Sequence, residues 1–474
     1  MGTMLGFLGK WFERARQAVR VVRGRYDAAR TTDDNRRHWA EADGLSASAA
    51  NSPDVRQKLR NRSRYEFDNN GYCNGLIVSL ARDMIGTGPR LSILDESIAR
   101  AIEDAWQEWA ETVNLVGDLT TMVQAKKRDG EAFAILVTGE GDYRSPVRLR
   151  LRLAEADQVA TPNWTWVQKV DGIELDASGR PAYYHVLKYH PGDSLWYGAL
   201  PGEYDRVPAE QMLHWFRRDR PGQYRGVPET TPSLGLYAQL RRYTLAVLTA
   251  AETAADFSAL VETDGPAAET VDWLSLEIDR GMMMTLPAGA RIKQLQAEQP
   301  TTTYKDFKRE ILTEIGRPHH TPYNTVSGDS SSYNYSSARL DSLLYRSALR
   351  VERDSFRRAV LDRVFRAWLD EALMIPDYLP AGAQRARWVW YWPGYESVDP
   401  NKDAQADTER LTNGTATLAE ILGEYGQDWR AFLRQRGVEV ALMRELGIPV
   451  PGEAAPAAPA TPIDETEEEE DEVI

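Results

Sequence analysis

The residue types best equipped for chemistry here are six histidines, one cysteine and a run of serines, and their spacing supports little catalysis. His38, His185, His190, His214, His319 and His320 form no HExxH pair, and Cys73 alone gives no zinc spacing. Adjacent side chains such as His319 and His320 seldom aim at one ion, so a place in a loop lining suits them better. No metal or cofactor is expected. Ser330, Ser331 and Ser332 do not make a nucleophile elbow, because no strand leads into them. GxSxG, Walker A and a defensible pair of carboxylates are all missing from the sequence. Gly86 and Gly88 lack both the preceding strand and the third glycine of a dinucleotide fingerprint. Cys73 reads as a small buried hydrophobe rather than a nucleophile. The stretch from Arg217 to Arg225 (RRDRPGQYR) could grip phosphates, or form a solvated, salt-bridged turn. The expectation is therefore a protein that is not an enzyme, with no catalytic residues. The alternative is a soluble hydrolase or nuclease whose carboxylate site the sequence does not display.

The histidine pair and the serines share one segment, and the elements around it explain what it is for. From Arg317 to Tyr333 the chain is polar, Pro318 and Pro322 block helix, and Gly328 to Ser332 favours turns. At roughly 17 residues it exceeds the ~12–15 beyond which a loop in a compact domain is usually functional or disordered. A short amphipathic helix, Tyr304 to Ile315, leads in with Phe307, Ile311 and Ile315 inward. A long one, Ser336 to Leu373, leads out without Gly or Pro. Its apolar stripe is Leu340, Leu344, Ala348, Val351, Val360, Val364, Trp368 and Ala372. Two helices held apart by a long polar loop present that loop.

Composition bounds the rest. With 474 residues, 42% hydrophobic and 27% charged, the chain is of ordinary soluble globular type and long enough for two to four units. One cysteine excludes an internal disulfide framework and suits a reducing cytoplasm. The N-terminus lacks a signal peptide's apolar stretch, and no run is long and apolar enough to span a membrane. Net charge is −14, and the nine acids beyond Gly452 leave the body at −5, the wrong sign for a sequence-reading DNA binder. Residues 1–37 hold nine Lys/Arg against four Asp/Glu. They read as an arm docking on a neighbouring subunit, or as a basic amphipathic arm for membrane or nucleic acid.

In order, helices are expected over Asp54 to Asn69, from Gly71 to Ile85, over Ile98 to Val113, and from Leu119. The pattern then changes to period two. Glu131 to Val137, Val147 to Leu153, Trp164 to Val170, Ile173 to Leu175, Ala182 to Tyr189 and Gln211 to Phe216 read as strands of a β-rich insertion. A helix of about 30 residues should run from Pro228 to Val261. A module from Ala267 to Gln299 follows, with a helix through Trp273 and Ile278 and short strands near Met282 and Ala290. Arg387 to Trp392 alternates as a strand with three tryptophans on one face. On the long helix, Asp354–Arg358 and Asp362–Arg366 are spaced for salt bridges. Lys402 to Leu446 is a helical group, and the Pro/Ala-rich, acidic tail cannot order itself.

Several strings resemble the lambda-type bacteriophage portal family, in that family's order. They are Arg206-Val-Pro-Ala209 leading to His214, Arg220-Pro-Gly-Gln-Tyr-Arg-Gly-Val-Pro228, and the Ala-rich helix. Leu286-Pro-Ala-Gly289, Tyr304 with Phe307, and Asn334-Tyr-Ser-Ser-Ala-Arg339 follow. Trp392-Pro393, Asp399-Pro-Asn-Lys402 and Gly414-Thr415 close the set. Gly316 to His320 departs from the more apolar segment the family leads one to expect. The resemblance implies an α+β, mainly helical portal fold with long stem and wing helices, a β-rich wing insertion and a small α/β clip. It implies an arm and wing over 1–225, with the insertion at about 131–216, and a first stem helix over 226–262. The clip would be 263–301, the second stem helix 302–316, the tunnel loop 317–334, the remaining wing 335–395, the crown 396–450 and the tail 451–474.

Function is implied in the same way: a ring, usually of twelve copies, at one capsid vertex, through which double-stranded DNA is packaged and ejected. The implied partners are the terminase large subunit, the major capsid protein, a head–tail connector or adaptor, and DNA passing non-specifically, with no membrane. The implied location is the virion, and the host bacterial cytoplasm during assembly. The DNA-facing residues would be Arg317, His319, His320, Tyr323, Asn324, Asp329, Ser330, Ser331, Ser332 and Tyr333. Trp273, Ile278, Met282, Met283 and Met284 of the clip would meet partners.

Overall fold

The computed structural model describes residues 37–38, 40, 42–139, 144–161, 169–193, 203–255, 259–263, 290–294, 304–331, 333–395 and 399–451. The arm over 1–36, the strand expected from Trp164, the clip residues Trp273, Ile278, Met282, Met283 and Met284, Ser332 and the tail beyond 451 lie outside the described residues. The chain divides into Met1–Ala50 and Asn51–Ile474. In the first, Ala47–Ala50 is a single helical turn.

In the second unit, α1 (Pro53–Asn69) and α2 (Gly71–Ile85) meet at Asn70, whose side chain accepts from Tyr72 N and caps α2. Then come β1 (Arg90–Ile93), α3 (Glu96–Thr112, capped by Asp95) and α4 (Leu115–Asp129). The insertion holds β2 (Glu131–Thr138), β3 (Leu149–Ala154), β4 (Lys169–Val170), β5 (Ile173–Leu175), β6 (Pro181–Leu187), β7 (Tyr204–Pro208) and β8 (Met212–Phe216). It forms two antiparallel sheets, β3-β2-β8 and β4-β5-β6-β7. Strand β2 is buried on both faces, with Ala132 and Ala134 in the main core and Phe133 and Ile135 in a second one beneath the four-stranded sheet. That double burial explains its unbroken apolar run.

Helix α5 (Leu234–Ala255) stops short of the expected Val261, because Ala259–Thr263 is a strand (β9) paired antiparallel with β10 (Ala290–Gln294). Helix α6 (Tyr304–Gly316) follows, with Ile311 and Ile315 buried as expected, but Phe307, expected inward, is 50% exposed. The stretch after it is not one irregular loop. Arg317–His319 is a 3-10 turn and α7 (Tyr323–Ser327) a short helix, each with proline at its start, where the missing N–H costs nothing.

The long helix comprises α8 (Tyr335–Phe356), a π-helical turn (Arg357–Leu361) and α9 (Asp362–Ala372). Its second half buries Val360, Val364, Trp368 and Ala372 as expected. In its first half the expected stripe is wrong: Leu340, Leu344 and Val351 are 59%, 64% and 72% exposed, whereas Tyr345, Leu349, Arg353 and Phe356 are buried. The buried row lies one position on at Tyr345 and Leu349 and two on at Arg353, a charged residue in one of its places. Arg353 donates Nε to Met84 O (3.1 Å) and Nη2 to Asp83 O (2.8 Å) and Pro393 O (3.3 Å). The expected Asp354–Arg358 pair forms. Asp362, however, pairs with Arg357 (2.6 Å) and accepts the indole N–H groups of Trp388 and Trp390, both at 2.9 Å, on β11 (Trp388–Tyr391). Strand β11 pairs with β1 and sets Trp390 against Trp106 and Phe365 in the main core. Helices α10 (Pro400–Thr412), α11 (Leu418–Glu424) and α12 (Trp429–Glu445) complete the described chain.

Arg225 is neither a phosphate grip nor part of a solvated turn. It is 2% exposed, and every one of its N–H groups is used. Nε and Nη2 reach Glu131 (Nη2–Oε1 2.7 Å), Nη2 also reaches Ala156 O, and Nη1 donates to Val159 O and Asp171 O. Gly226 N donates to Glu131 Oε2 at 2.9 Å. Gly130 (φ +91°) and Gly226 let the two backbones touch: a Cβ on Gly226 would lie 2.0 Å from Gly130 O. Burial alone would raise the Glu131 carboxyl, but Arg225 and the hydrogen bond from His214 hold it well below the usual carboxylate range. A carboxyl lowered on folding stabilises fully above its unfolded pKa of about 4.3, and that stability fades as pH falls below it.

Arg225→Met strands Glu131 in the core and should cost about 3–5 kcal/mol of folding stability, read as a lowered urea midpoint. A midpoint equal to the parent's contradicts this account of the pair.

Candidate functional site

The segment from Arg317 to Tyr333 hangs from a buried ionic cluster at the end of α4. Lys126 and Lys127 close that helix, and both are under 5% exposed. Lys127 Nζ lies 2.8 Å from Glu229 Oε2 and 2.7 Å from Glu352 Oε2. Lys126 Nζ lies 2.5 Å from Glu229 Oε1, pairs with Glu352 and sits 4.6 Å over the Trp215 ring. Two ammonium groups and two carboxylates balance, which is what makes their burial tolerable. Burial opposes ionisation of Glu229, yet the two lysines hold its carboxyl well below the ordinary value. Burial likewise opposes the Lys127 charge, and the two glutamates more than restore it.

His319 rests on this cluster. It is 4% exposed, and its Nδ1 is 3.8 Å from Glu229 Oε2, too far for a hydrogen bond. Neither ring nitrogen has a hydrogen-bond partner, and burial pushes the imidazole pKa below its ordinary value. His319 is thus a neutral core residue, which corrects its expected place in the loop lining. Thr321 and Val326 are also buried, and Thr321 Oγ1 donates to Gly316 O at 3.0 Å. Beside the cluster lies a cavity of about 560 Å³, with Trp215, Pro318, Tyr345 and Leu349 in its walls.

Beyond these anchors the segment turns outward. Arg317, His320, Ser330 and Ser331 are exposed, while Tyr323, Asn324, Asp329 and Tyr333 are half-buried. His320 adopts φ +55°, a left-handed conformation that directs the chain back toward Thr321. The Asp329 carboxylate accepts from Ser331 N at 2.8 Å, and hydrogen bonds from Ser331 lower its pKa. Tyr323 lies under the Arg309 guanidinium at 5.1 Å. The far end is fixed by a capping box, in which Asn334 Oδ1 accepts from Ser337 N at 2.8 Å and Ser337 Oγ from Asn334 N. The result is a short polar tip (Gly328 to Ser331), bearing one carboxylate and no base, between two anchored ends.

A match to "Phage portal protein, lambda family" covers residues 33–353, well over half of the chain. The chain belongs to that family. Among its relatives is the "Probable portal protein" of Halomonas phage phiHAP-1, 25% identical over 430 residues and spanning 83% of this chain and 82% of that one. The "Portal protein" of Escherichia phage N15 is 21% identical over 454 residues, spanning 82% and 85%. Solved structures with a partial likeness include the neck of a native GTA particle computed with C12 symmetry, at TM-score 0.42 and 14% identity, covering 78% of this chain and 92% of that one. The neck of an empty GTA particle, computed with C6 symmetry, reaches TM-score 0.45 and 15% identity over 86% and 97%. This portal protein is mainly helical with small sheets, as its family resemblance implies.

Other chemistry is thin among the described residues. Glu155, Asp157 and His190 approach one another closely enough to hold a cation. Arg64 Nη2 already lies 2.8 Å from Asp157 Oδ2 and 3.1 Å from Glu155 Oε2, and Arg60 Nη2 is 2.8 Å from Asp157 Oδ1. Those oxygens serve an ion-pair network. Cys73 is fully buried, and burial pushes its thiol pKa up to about 12. No described helix is long and apolar enough to cross a membrane.

The residues that sequence reasoning missed are Lys126, Lys127, Glu229 and Glu352, scattered over three elements. The one available signal was Lys126-Lys127 ending a helix whose preceding turns are apolar.

A histidine kept neutral by folding binds fewer protons than in the unfolded chain, so its contribution holds above pH ~6.5 and is lost as pH falls through that value. His319→Phe should therefore flatten the fall in melting temperature between pH 7.5 and 5.5. An unchanged slope contradicts the assignment of His319 as a buried neutral group.

Proposed function

We propose that copies of this portal protein close into a ring, of twelve subunits, around a channel for double-stranded DNA, with the tip at Gly328 to Ser331 facing the duplex. The carrying observation is the tip itself: a polar surface with no base and one carboxylate, Asp329, on a stiff mount. A conduit must touch DNA without holding it, since each phosphate neutralised by protein adds salt-dependent affinity. Asp329 has its carboxylate turned onto Ser331, and the serines offer hydrogen bonds without charge. Arg317 is the one fixed base of the segment and sits at its root, two positions before His319. Residues 263–301 are proposed as the clip that meets the terminase large subunit and later the connector. The wing is proposed to meet the major capsid protein. A vertex of the capsid is the proposed location, after assembly in the host cytoplasm. The chain's own role is proposed to be structural, with ATP hydrolysis belonging to the terminase.

Ser330→Lys together with Ser331→Lys adds two positive charges per subunit at the tip. Rings should assemble normally but package DNA more slowly, with a slowdown that eases as salt rises, at a slope of about −0.9 per phosphate engaged. Packaging at the parental rate, or failure to assemble, contradicts the placement of the tip.

A further inference from the structure

A groove of about 460 Å³ opens between α1 and α5, lined by Asn61, Arg62, Tyr65, Glu66, Leu234, Gly235 and Ala238. Its floor is small: a Cβ built on Gly235 meets nothing within 4 Å. Tyr65 is 54% exposed at its edge. Its rim is basic. Lys58 and Arg62 stand one turn apart on the exposed side of α1, and Arg242 is exposed on α5, two turns after Gly235. Among the described residues Arg62 and Arg242 have no carboxylate partner.

The opposite flank of the same helix carries the complementary surface. Arg241 of α5 pairs with Glu66 of α1 at 2.9 Å. Tyr243, two residues on, packs on Tyr304 and Phe307 of α6, with ring centroids 5.6 and 5.0 Å apart. Positions two apart on an α-helix point about 200° apart, so α1 with its groove and α6 flank α5 on opposite sides. Helix α6 turns Ile311, Leu312 and Ile315 inward. Outward it shows Asp306, Glu310 and Glu314, each four residues from the next and all exposed. None of the three has a basic partner among the described residues. Like charges at this spacing weaken an isolated helix, and a basic partner supplied from outside offsets that.

We propose that the groove between α1 and α5 is a docking site for a second copy of this chain. The acidic outer face of that copy's α6 seats against Lys58, Arg62 and Arg242. The inference rests on the ring reading above and gives it a specific contact. Because groove and acidic face lie on opposite flanks, docking leaves one copy of the pair with a free acidic face and the other with a free groove. That is a heterologous, head-to-tail contact, the kind that closes into a ring when the rotation between copies allows. Contact through the small residues Gly235 and Ala238 brings the helices close, and the charges set their register and reject a face-to-face pairing of like surfaces.

The test reverses the charges on one side, then on both. Arg62→Glu with Arg242→Glu, and separately Glu310→Arg with Glu314→Arg, should raise the protein concentration needed for ring formation by more than about a hundredfold, measured by native mass spectrometry. All the altered residues are exposed, so circular dichroism melting should match the parent. The four changes combined in one chain should restore assembly at the parental concentration. Gly235→Trp, which fills the groove without touching a charge, should also block it. Rings that form normally in the one-sided variants, or a combined variant that does not recover, overturn this interface while leaving the ring reading intact. A parent chain that stays monomeric at every concentration overturns the ring reading and this contact with it.

Discussion

The contact between Glu131 and Arg225 is the constraint from which the rest of the arrangement follows. Both groups are shut away from water, so each is tolerable only because the other is present and every remaining N–H finds an oxygen. The acceptors come from far apart in sequence: the start of β2, the carbonyls at 156 and 159, and the turn at Asp171. One guanidinium thus ties the four-stranded sheet, β2 and the chain leading into α5 to one point. Gly130 and Gly226 allow that chain to lie directly on the end of α4. Four residues after Arg225, Glu229 is thereby delivered to Lys126 and Lys127, and the cluster that carries His319 is assembled.

The long helix solves a second problem of register. Glu352 must face the two lysines while Arg353, its neighbour, must face the carbonyls of residues 83, 84 and 393. A shift of one position would set a carboxylate against carbonyl oxygens and a guanidinium against ammonium groups. The charged pair therefore fixes the rotation of α8 more firmly than its apolar residues do. The π turn at Arg357–Leu361 then brings the half that carries Val364, Phe365 and Trp368 into phase with the main core. Rotation of α8 sets where Asn334 stands, and Asn334 holds the far end of the segment from Arg317 to Tyr333.

Much of this was legible in the residues. Alternation in Leu149–Ala154, the paired tryptophans of α3, the three of Arg387 to Trp392 and the glycine stop at Gly86 each placed an element correctly, because each pattern has a direct steric or hydrophobic cause. What could not be read has causes too. A π turn adds one residue to a helix without a compositional mark, so Leu344 and Val351 looked internal and Tyr345 and Arg353 did not. Pro318 and Pro322 signalled a break, but a proline also suits the first turn of a helix, and that second meaning applied. Charges with partners far along the chain, such as Glu131 with Arg225 (94 residues) and Lys127 with Glu352 (225 residues), look solvated until the fold brings them together.

In the proposed ring, the role of the segment depends on where its tip lies. Electron cryo-microscopy of the assembled protein with a DNA duplex threaded through it locates that tip directly. Residues Gly328 to Ser331 should line the narrowest part of the channel, within hydrogen-bonding reach of the phosphates, with His319 still buried behind them on Glu229. A map in which another element forms the constriction, and these residues face the outside of the particle, contradicts the account.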